Sequence, residues 1–509
     1  MGVRSDSSEG PSEDTLLLLG SNMCGESGQK EEVEEKLKFS QKLAYGVGHV
    51  LNDNSAAVWF SYTLLYFQVV MGMPQVLTGS LLLVGQVMDA VATPVVGIFA
   101  DRTGRRKLWH LAGTLMTVVS FPLVFMGWPP YPYSGEKTNS TNPSDHNASE
   151  SDSSLVAWMV GVYYVLLIVI FQIGWAVVQI AHLALIPMMT PLQTERAELT
   201  AIRFSASICS SIFMYLVTWF ILLVTHNRTT RDAASARKST LGPNDAFKFR
   251  DVVLIGLSIG ALFSAWFHIV LRVPDDVHTT DKPKQDSAAM KSGIKKYLTS
   301  MMLYQVSILY VSSRLFLTLS LVYMPLYLVE NAGEEAEYLA TVPLVSYIAS
   351  FATSVIVRQI HPCLGSKFVY LVGAIVSILG CIWIGVGLGR LSLSGELFSV
   401  AVLFGVGNSV TMVSSLCLTA NFIGEKTEQA AFVYSVVTFA DKLLNGIVVM
   451  IIEQLKCQDC NHYYQDVLAY ACGATVLIGI VALLSMQVFN FSLTRLKECV
   501  VNFKVPCTK

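Results

Sequence analysis

Charge is what this chain has least of. Aspartate, glutamate, lysine and arginine supply 14% of its 509 residues, against about a quarter in soluble domains. That is too few solvent-facing groups to cover a water-soluble fold of this size. The net charge of −2, and the lack of any basic stretch interleaved with aromatics, give no footing for a nucleic-acid partner. Cysteine forms no framework: Cys209, Cys381, Cys417 and Cys472 lie inside apolar runs, where they read as small hydrophobes. Cys457 and Cys460 make a single C-x-x-C with no second pair, and His462 is too close to serve beside them. No metal site is therefore expected, and a Cys457–Cys460 disulfide is expected if that loop is non-cytosolic. No phosphate-binding loop appears, nor any grouping of nucleophile, base and orienting residue. Neither enzyme activity nor a cofactor is expected.

A cleavable signal is also missing. Residues 1–40 are rich in Ser, Gly and Glu and read as a disordered tail. Asp6 stands where myristoylation requires Ser or Thr. The first apolar run is then expected to act as an uncleaved anchor.

What the chain does have is hydrophobic length. It is 53% hydrophobic with a mean hydropathy of +0.51. Spanning a bilayer takes ~20 apolar residues, since each helix must satisfy its own backbone in lipid. About twelve runs qualify: 43–70, 76–100, 108–128, 156–188, 201–225, 251–273, 301–329, 338–358, 368–389, 396–422, 430–453 and 466–490. The chain is an all-α polytopic membrane protein. Arg102, Arg105, Arg106 and Lys107, between spans two and three, assign that turn to the cytosol by the positive-inside rule. Three sequons, at Asn139, Asn147 and Asn227, fall between spans three and four and spans five and six. Glycosylation there requires the opposite side. Both tests put both termini in the cytosol, although Arg228, Arg231, Arg237 and Lys238 make the fifth loop basic as well.

The turn between spans two and three is more specific than its charge. Gly97-x-x-x-Asp101-Arg102-x-Gly104-Arg105-Arg106 resembles the signature turn of the major facilitator superfamily. That resemblance implies two parallel six-helix halves and a conformational gating role for these residues. Internal repetition fits it: Tyr62-Thr-Leu-Leu-Tyr-Phe67 recurs as Tyr323-Met-Pro-Leu-Tyr-Leu328, and Gly104 as Gly365, both 261 positions on. The expected organisation is a tail at 1–40, a first half at 41–273, a cytosolic linker at 274–300, a second half at 301–490 and a tail at 491–509.

Ionisable residues inside spans are costly and are functional candidates by default. Here they are Asp53, Asp89, Arg203, Arg314, Asp441 and Lys442, three acids and three bases. That balance fits a functional network and structural pairing equally. Tyr45, His49 and Asp53 share one helical face, and Gln86, Asp89 and Thr93 share another. Gln172, Trp175, Gln179 and His182 form a polar stripe in the fourth span. It reads either as a cavity wall or as interhelical glue. Asp441 and Lys442 are adjacent, so they point in different directions.

The resemblance narrows at these residues. Tyr45-Gly-Val-Gly-His-Val-Leu-Asn-Asp53, Gly85-Gln-Val-Met-Asp-Ala-Val-Ala-Thr-Pro94, Glu198-Leu-Thr-Ala-Ile-Arg-Phe204 and Tyr434-Ser-Val-Val-Thr-Phe-Ala-Asp-Lys442 resemble the glycoside–pentoside–hexuronide:cation symporter branch. That implies a shared cavity holding Asp53, Asp89, Arg203 and Lys442. Thr93 replaces the branch's second cation-binding carboxylate, which disfavours Na⁺. Gln179 and Leu183 replace its sugar-contacting Asp and Trp, which disfavours sugar. His49-Val-Leu-Asn-Asp53, Phe171-Gln-Ile-Gly-Trp175 and Asp441-Lys-Leu-Leu-Asn-Gly446 resemble a narrower group, implicated in cysteine import into lysosomes and melanosomes and so in pigmentation.

The expected function is secondary active transport of cysteine, or a similar small zwitterion, through a lysosomal or melanosomal membrane by a monomer. A proton is the expected coupling ion, because His49 and the carboxylates can titrate in an acidic lumen. Glu13, Leu17 and Leu18 fit an acidic dileucine signal for a clathrin adaptor. The alternatives are a lysolipid or organic-anion symporter of the same fold, and a non-transporting sensor or scaffold.

Overall fold

The computed structural model describes residues 37–103, 105–128, 143–190, 193–232, 242, 245–272, 299–331, 337–386, 393–423, 430–456 and 462–486. Gly104, Asn139, Glu13, Leu17, Leu18, Cys457 and Cys460 lie outside these residues, as do the side chains of Asp101, Arg102, Asn147 and Asn227.

Every regular element is helical among the described residues, and the helices form twelve rods. The first, α1, combines Phe39–Val47 with Val50–Leu65 and ends in a π-helical turn, Tyr66–Val70. The break between its pieces falls at Gly48, where the ring of Phe267 occupies the place a side chain would take. Then follow α2 (Gln75–Thr103), α3 (Arg106–Val124), α4 (Pro143–Met189), α5 (Gln193–Asp232), α6 (Ala246–Val270), α7 (Met301–Asn331), α8 (Tyr338–Leu364), α9 (Ser366–Val386), α10 (Leu393–Ile423) and α11 (Ala430–Gln454). The last rod, α12, joins Tyr463–Asp466, a π turn at Val467–Ala471, and Cys472–Ser485.

Ten of the rods are long and apolar enough to cross a membrane. The other two, α1 and α11, carry His49, Asn52, Asp53 and Asn54, and Asp441, Lys442 and Glu453. His49, Asn52, Asp53, Asn54, Asp441 and Glu453 are buried inside the bundle rather than turned to lipid, and Lys442 is half-buried. The outward faces are apolar instead, as at Leu115, Val119, Trp158, Leu262 and Ile382, all exposed.

Neighbour relations repeat with a period of six helices. In the first half α1 packs on α5 and α6, and α4 on α2 and α3. In the second, α7 packs on α11 and α12, and α10 on α8 and α9. Between the halves α2 lies along α11, α5 along α8 and α1 along α7. This is the two-half architecture that the sequence repeat implied.

Close approach inside each half depends on small residues, as expected where van der Waals contact drives helix association. A Cβ on Gly113 of α3 would stand 2.7 Å from the Gly174 carbonyl oxygen of α4, and one on Gly174 would stand 2.9 Å from Met116 Cβ. By contrast, a Cβ on Gly473 would meet nothing nearer than Cys381 Cβ at 3.9 Å. Gly113→Ala is therefore expected to destabilise the purified protein by about 1–3 kcal/mol through overpacking, while Gly473→Ala leaves it unchanged. Thermal unfolding in detergent measures both, and equal midpoints would refute the close-packed α3–α4 crossing.

Candidate functional site

The six intramembrane charges resolve into three groups. The first stands in the first half. His49 and Asp53 are one turn apart on α1, and His49 Nδ1 lies 2.9 Å from Asp53 Oδ1. Ser207 Oγ, on α5, donates to the same oxygen at 3.0 Å. Arg203 Nη2, one turn earlier on α5, lies 3.3 Å from His49 Nε2. A guanidinium only donates, so His49 Nε2 accepts and Nδ1–H points at the carboxylate. His49 thereby spaces the guanidinium from the acid. Both ends of this relay keep open valences: Asp53 Oδ2 and Arg203 Nε are buried without a hydrogen-bond partner.

The second group crosses the seam between the halves. Lys442 Nζ, on α11, donates to Asp89 Oδ1 at 2.7 Å and to Thr93 Oγ1 at 3.0 Å, both on α2. Thr93 also caps back to the Asp89 carbonyl at 2.8 Å. Thr93 is thus a ligand of the ammonium. Gln86 lies one turn further along α2, against Gly446 of α11, where an added Cβ would meet its Cβ at 3.0 Å. The third group belongs to the second half. Arg314 Nε on α7 lies 3.3 Å from Asp441 Oδ2, and Asn445 Nδ2 donates to Asp441 Oδ1 at 2.6 Å. Asp441 and Lys442 do point apart, one into its own half and the other across the seam.

Tyr347 of α8 stands between the first and third groups, within electrostatic reach of both Asp53 and Arg314. Its ring lies 5.2 Å from that of Tyr215 on α5. The sequence reading missed Tyr347 and Ser207. Ser207 follows Arg203 at i+4, which was the available signal.

The remaining residues of the polar stripe serve packing as much as chemistry. His182 stacks on Tyr45 with ring centroids 4.2 Å apart and bonds through Nε2 to the Tyr45 carbonyl at 2.8 Å. Tyr45 in turn donates to the His182 carbonyl at 3.3 Å. Trp175 gives its carbonyl to Asn52 Nδ2 at 3.1 Å and its ring to Phe171. Gln172 is buried beside Gly85, and Gln179 keeps a buried Oε1 with no partner. His110, also missed, sits behind His182 and bonds to the Gly48 carbonyl at 3.1 Å.

The turn motif operates locally. Lys107 Nζ donates to the carbonyls of His268 at 3.1 Å and Leu271 at 2.7 Å, closing the C-terminal end of α6 as a cation does. Arg106 Nη1 reaches Met188 Sδ at the end of α4, and Arg105 is the N-cap of α3. Gly97 faces Ile180 of α4 in ordinary contact.

Residues 44–491 match the family described as MFS/sugar transport protein. The chain is 33% identical over 481 residues to major facilitator superfamily domain-containing protein 12 of Homo sapiens, covering 90% of this chain and 95% of that protein. It is 34% identical over 477 residues to the protein of the same name from Equus caballus, covering 88% and 93%. Among solved structures it is similar to a D-xylose–proton symporter, with TM-score 0.64 and 15% identity, covering 89% of this chain and 97% of that one.

Breaking one side of a buried ion pair costs about 3–5 kcal/mol, because the other charge is left unpaired. Lys442→Gln is expected to lower the thermal midpoint, and adding Asp89→Asn should restore most of it. Four melting curves forming a double-mutant cycle test this, with a coupling of about 3 kcal/mol or more expected, since each single variant strands one charge, and additive losses as the refuting result.

Proposed function

The chain belongs to the MFS/sugar transport protein family, and from that premise we propose that it moves cysteine, or a similarly small zwitterionic amino acid, across a lysosomal or melanosomal membrane. It does so by rocking its two halves around the site near Asp53 and Arg203. One observation carries this reading. Of the three charged groups, the two built on Lys442 and Arg314 are each closed by an opposite charge, whereas Asp53 Oδ2 and Arg203 Nε face the interior unpartnered. A buried carboxylate oxygen wants a donor, and a buried guanidinium N–H wants an acceptor. An α-ammonium and an α-carboxylate on one small molecule supply the two together. A sugar supplies only neutral hydroxyls, which leaves both charges poorly compensated.

Sequence features support an orientation and an address. The Arg102–Lys107 cluster and the sequons at Asn139, Asn147 and Asn227 support cytosolic termini, and Glu13-x-x-x-Leu17-Leu18 supports adaptor-dependent sorting. The resemblance to the pigmentation-linked group supports cysteine over other zwitterions. A proton is the coupling ion in this reading, with Thr93 held by Lys442 rather than free for Na⁺.

Uptake of labelled cysteine into isolated lysosomes tests the assignment. Asp53→Asn and Arg203→Gln are each expected to cut uptake at least about tenfold, the effect of 1.4 kcal/mol lost from binding. Unlabelled cysteine should compete, whereas cysteamine, which lacks the carboxylate, and thiolactate, which lacks the amine, should not. Full competition by either one, or normal uptake by Asp53→Asn, would overturn the site. Counterflow in proteoliposomes separates a carrier from a non-transporting sensor.

A further inference from the structure

The end of the bundle opposite the signature turn holds a polar network that no transport step above uses. Gln68, on the π turn of α1, reaches across the seam into the second half. Its Nε2 donates to Glu453 Oε2 of α11 at 2.5 Å and to Thr78 Oγ1 of α2 at 3.2 Å. Its Oε1 accepts from Tyr464 Oη of α12 at 2.7 Å, and that hydroxyl accepts from Lys456 Nζ at 2.7 Å. The donors run in one direction, from Lys456 through Tyr464 and Gln68, and end on Glu453. Bonds aligned this way polarise one another. A π turn within a rod is a common mark of function, and here it is what presents Gln68.

Glu453 itself is anomalous. It is 1% exposed, and its Oε1 is buried with no hydrogen-bond partner. No cation lies within ion-pair distance of it among the described residues. The Tyr323 hydroxyl of α7 faces it, within reach of a side-chain hydrogen bond, and lies 3.3 Å from the Val449 carbonyl. The other titratable groups around it are Lys456 beyond α11, and Tyr463 and Tyr464 of α12. Glu330 of α7 accepts from the Tyr464 backbone N–H at 3.2 Å. From the first half α1 and α2 bring Gln68, Thr78 and Gly79, none of which titrates. A Cβ on Gly79 would meet Glu453 Cβ at 2.9 Å, so the two halves are in contact at this carboxyl.

We propose that Glu453 is a proton-binding site that closes this end of the transporter: the carboxyl takes a proton as the halves meet around it and gives it up when they part. A carboxylate is costly to bury without a cation, and the neutral acid is far less so. Closure dehydrates Glu453, whereas separation of α1 and α2 from α11 and α12 breaks the Gln68 bond and returns it to water. The proton comes from water on that side of the membrane and forms an O–H bond on the carboxylate, and nothing else is displaced. Because the closed state binds the proton more tightly, acid on that side shifts the equilibrium toward closed, by linkage. This rests on the alternating-access reading and adds to it the place where closure meets a proton.

The experiment uses the full chain in lipid nanodiscs, with bioorthogonal labels at the exposed positions Val76 and Leu455, on opposite halves of this end. Pulsed EPR then reads the distance between the labels. Lowering the pH from about 8 to about 5 is expected to raise the closed-to-open ratio about tenfold, the change for one unit of differential proton affinity. Glu453→Gln and Glu453→Met should both remain closed at either pH, while Gln68→Leu should be less closed at both and keep the pH slope. A slope that persists in the Glu453 variants, or its absence from the wild type when both distances are seen, overturns the proposal alone. A single distance under every condition overturns it together with alternating access.

Discussion

A charge carried into an apolar helix bundle must meet an opposite charge or a set of hydrogen bonds, and the arrangement of this transporter follows from how that requirement is met. Asp89 is 5% and Asp441 3% exposed, and each has a cation beside it. Asp53, 7% exposed, has instead a neutral imidazole and a hydroxyl on one oxygen and nothing on the other. Each carboxylate of the Lys442 and Arg314 groups has an opposite charge beside it, whereas compensation is incomplete at the proposed ligand site. The difference is visible only because all three groups sit in one low-dielectric interior, where an unsatisfied polar atom is costly.

The same logic distinguishes the two ends of the bundle. At one end the described links cross between halves: Tyr62 donates to the Leu339 carbonyl at 3.0 Å, and Gln68 joins Glu453 and Tyr464. At the signature-turn end Lys42 binds Glu198 at 2.6 Å, Lys107 caps α6 and Arg106 touches Met188, all within the first half. The strong electrostatic ties at that end hold a half together rather than bind it to the other. Among the described residues, the printed polar links at the ends of the bundle that cross between the halves lie at one end.

The fold was largely legible. Twelve runs of the right length, one signature turn and two repeats at offset 261 anticipated twelve rods whose contacts recur every six helices. The break in α1 was not anticipated, because hydropathy averages over Gly46 and Gly48 and reports a single run. The site was legible where ionisable residues stood conspicuously in mid-span, as with Asp53, Asp89, Arg203, Arg314, Asp441 and Lys442. It was not legible at Ser207 or Tyr347, since hydroxyls are common in membrane helices and only tertiary placement gives these two their meaning. Gln68 and Glu453 escaped for another reason. Each lies at the end of a run, where a polar residue reads as the boundary between lipid and water. Burial at the meeting of two halves is a tertiary fact that a single span does not encode.

That placement matters for how the two sites communicate. Asp53 and Gln68 are carried on one rod, separated by the uninterrupted helix to Leu65 and part of the π turn, or roughly 20 Å at 1.5 Å per residue. Lys442 and Glu453 are likewise carried on α11, roughly 16 Å apart by the same rise. In each half, one stiff element therefore reaches both the mid-membrane charges and the end network. Any tilt of α1 against α11 that loosens Gln68 from Glu453 must also change how Asp53 and Arg203 stand relative to the seam. Coupling between the proposed ligand site and the end network would then follow from geometry, because Asp53 and Gln68 are carried on one helix and Lys442 and Glu453 on another.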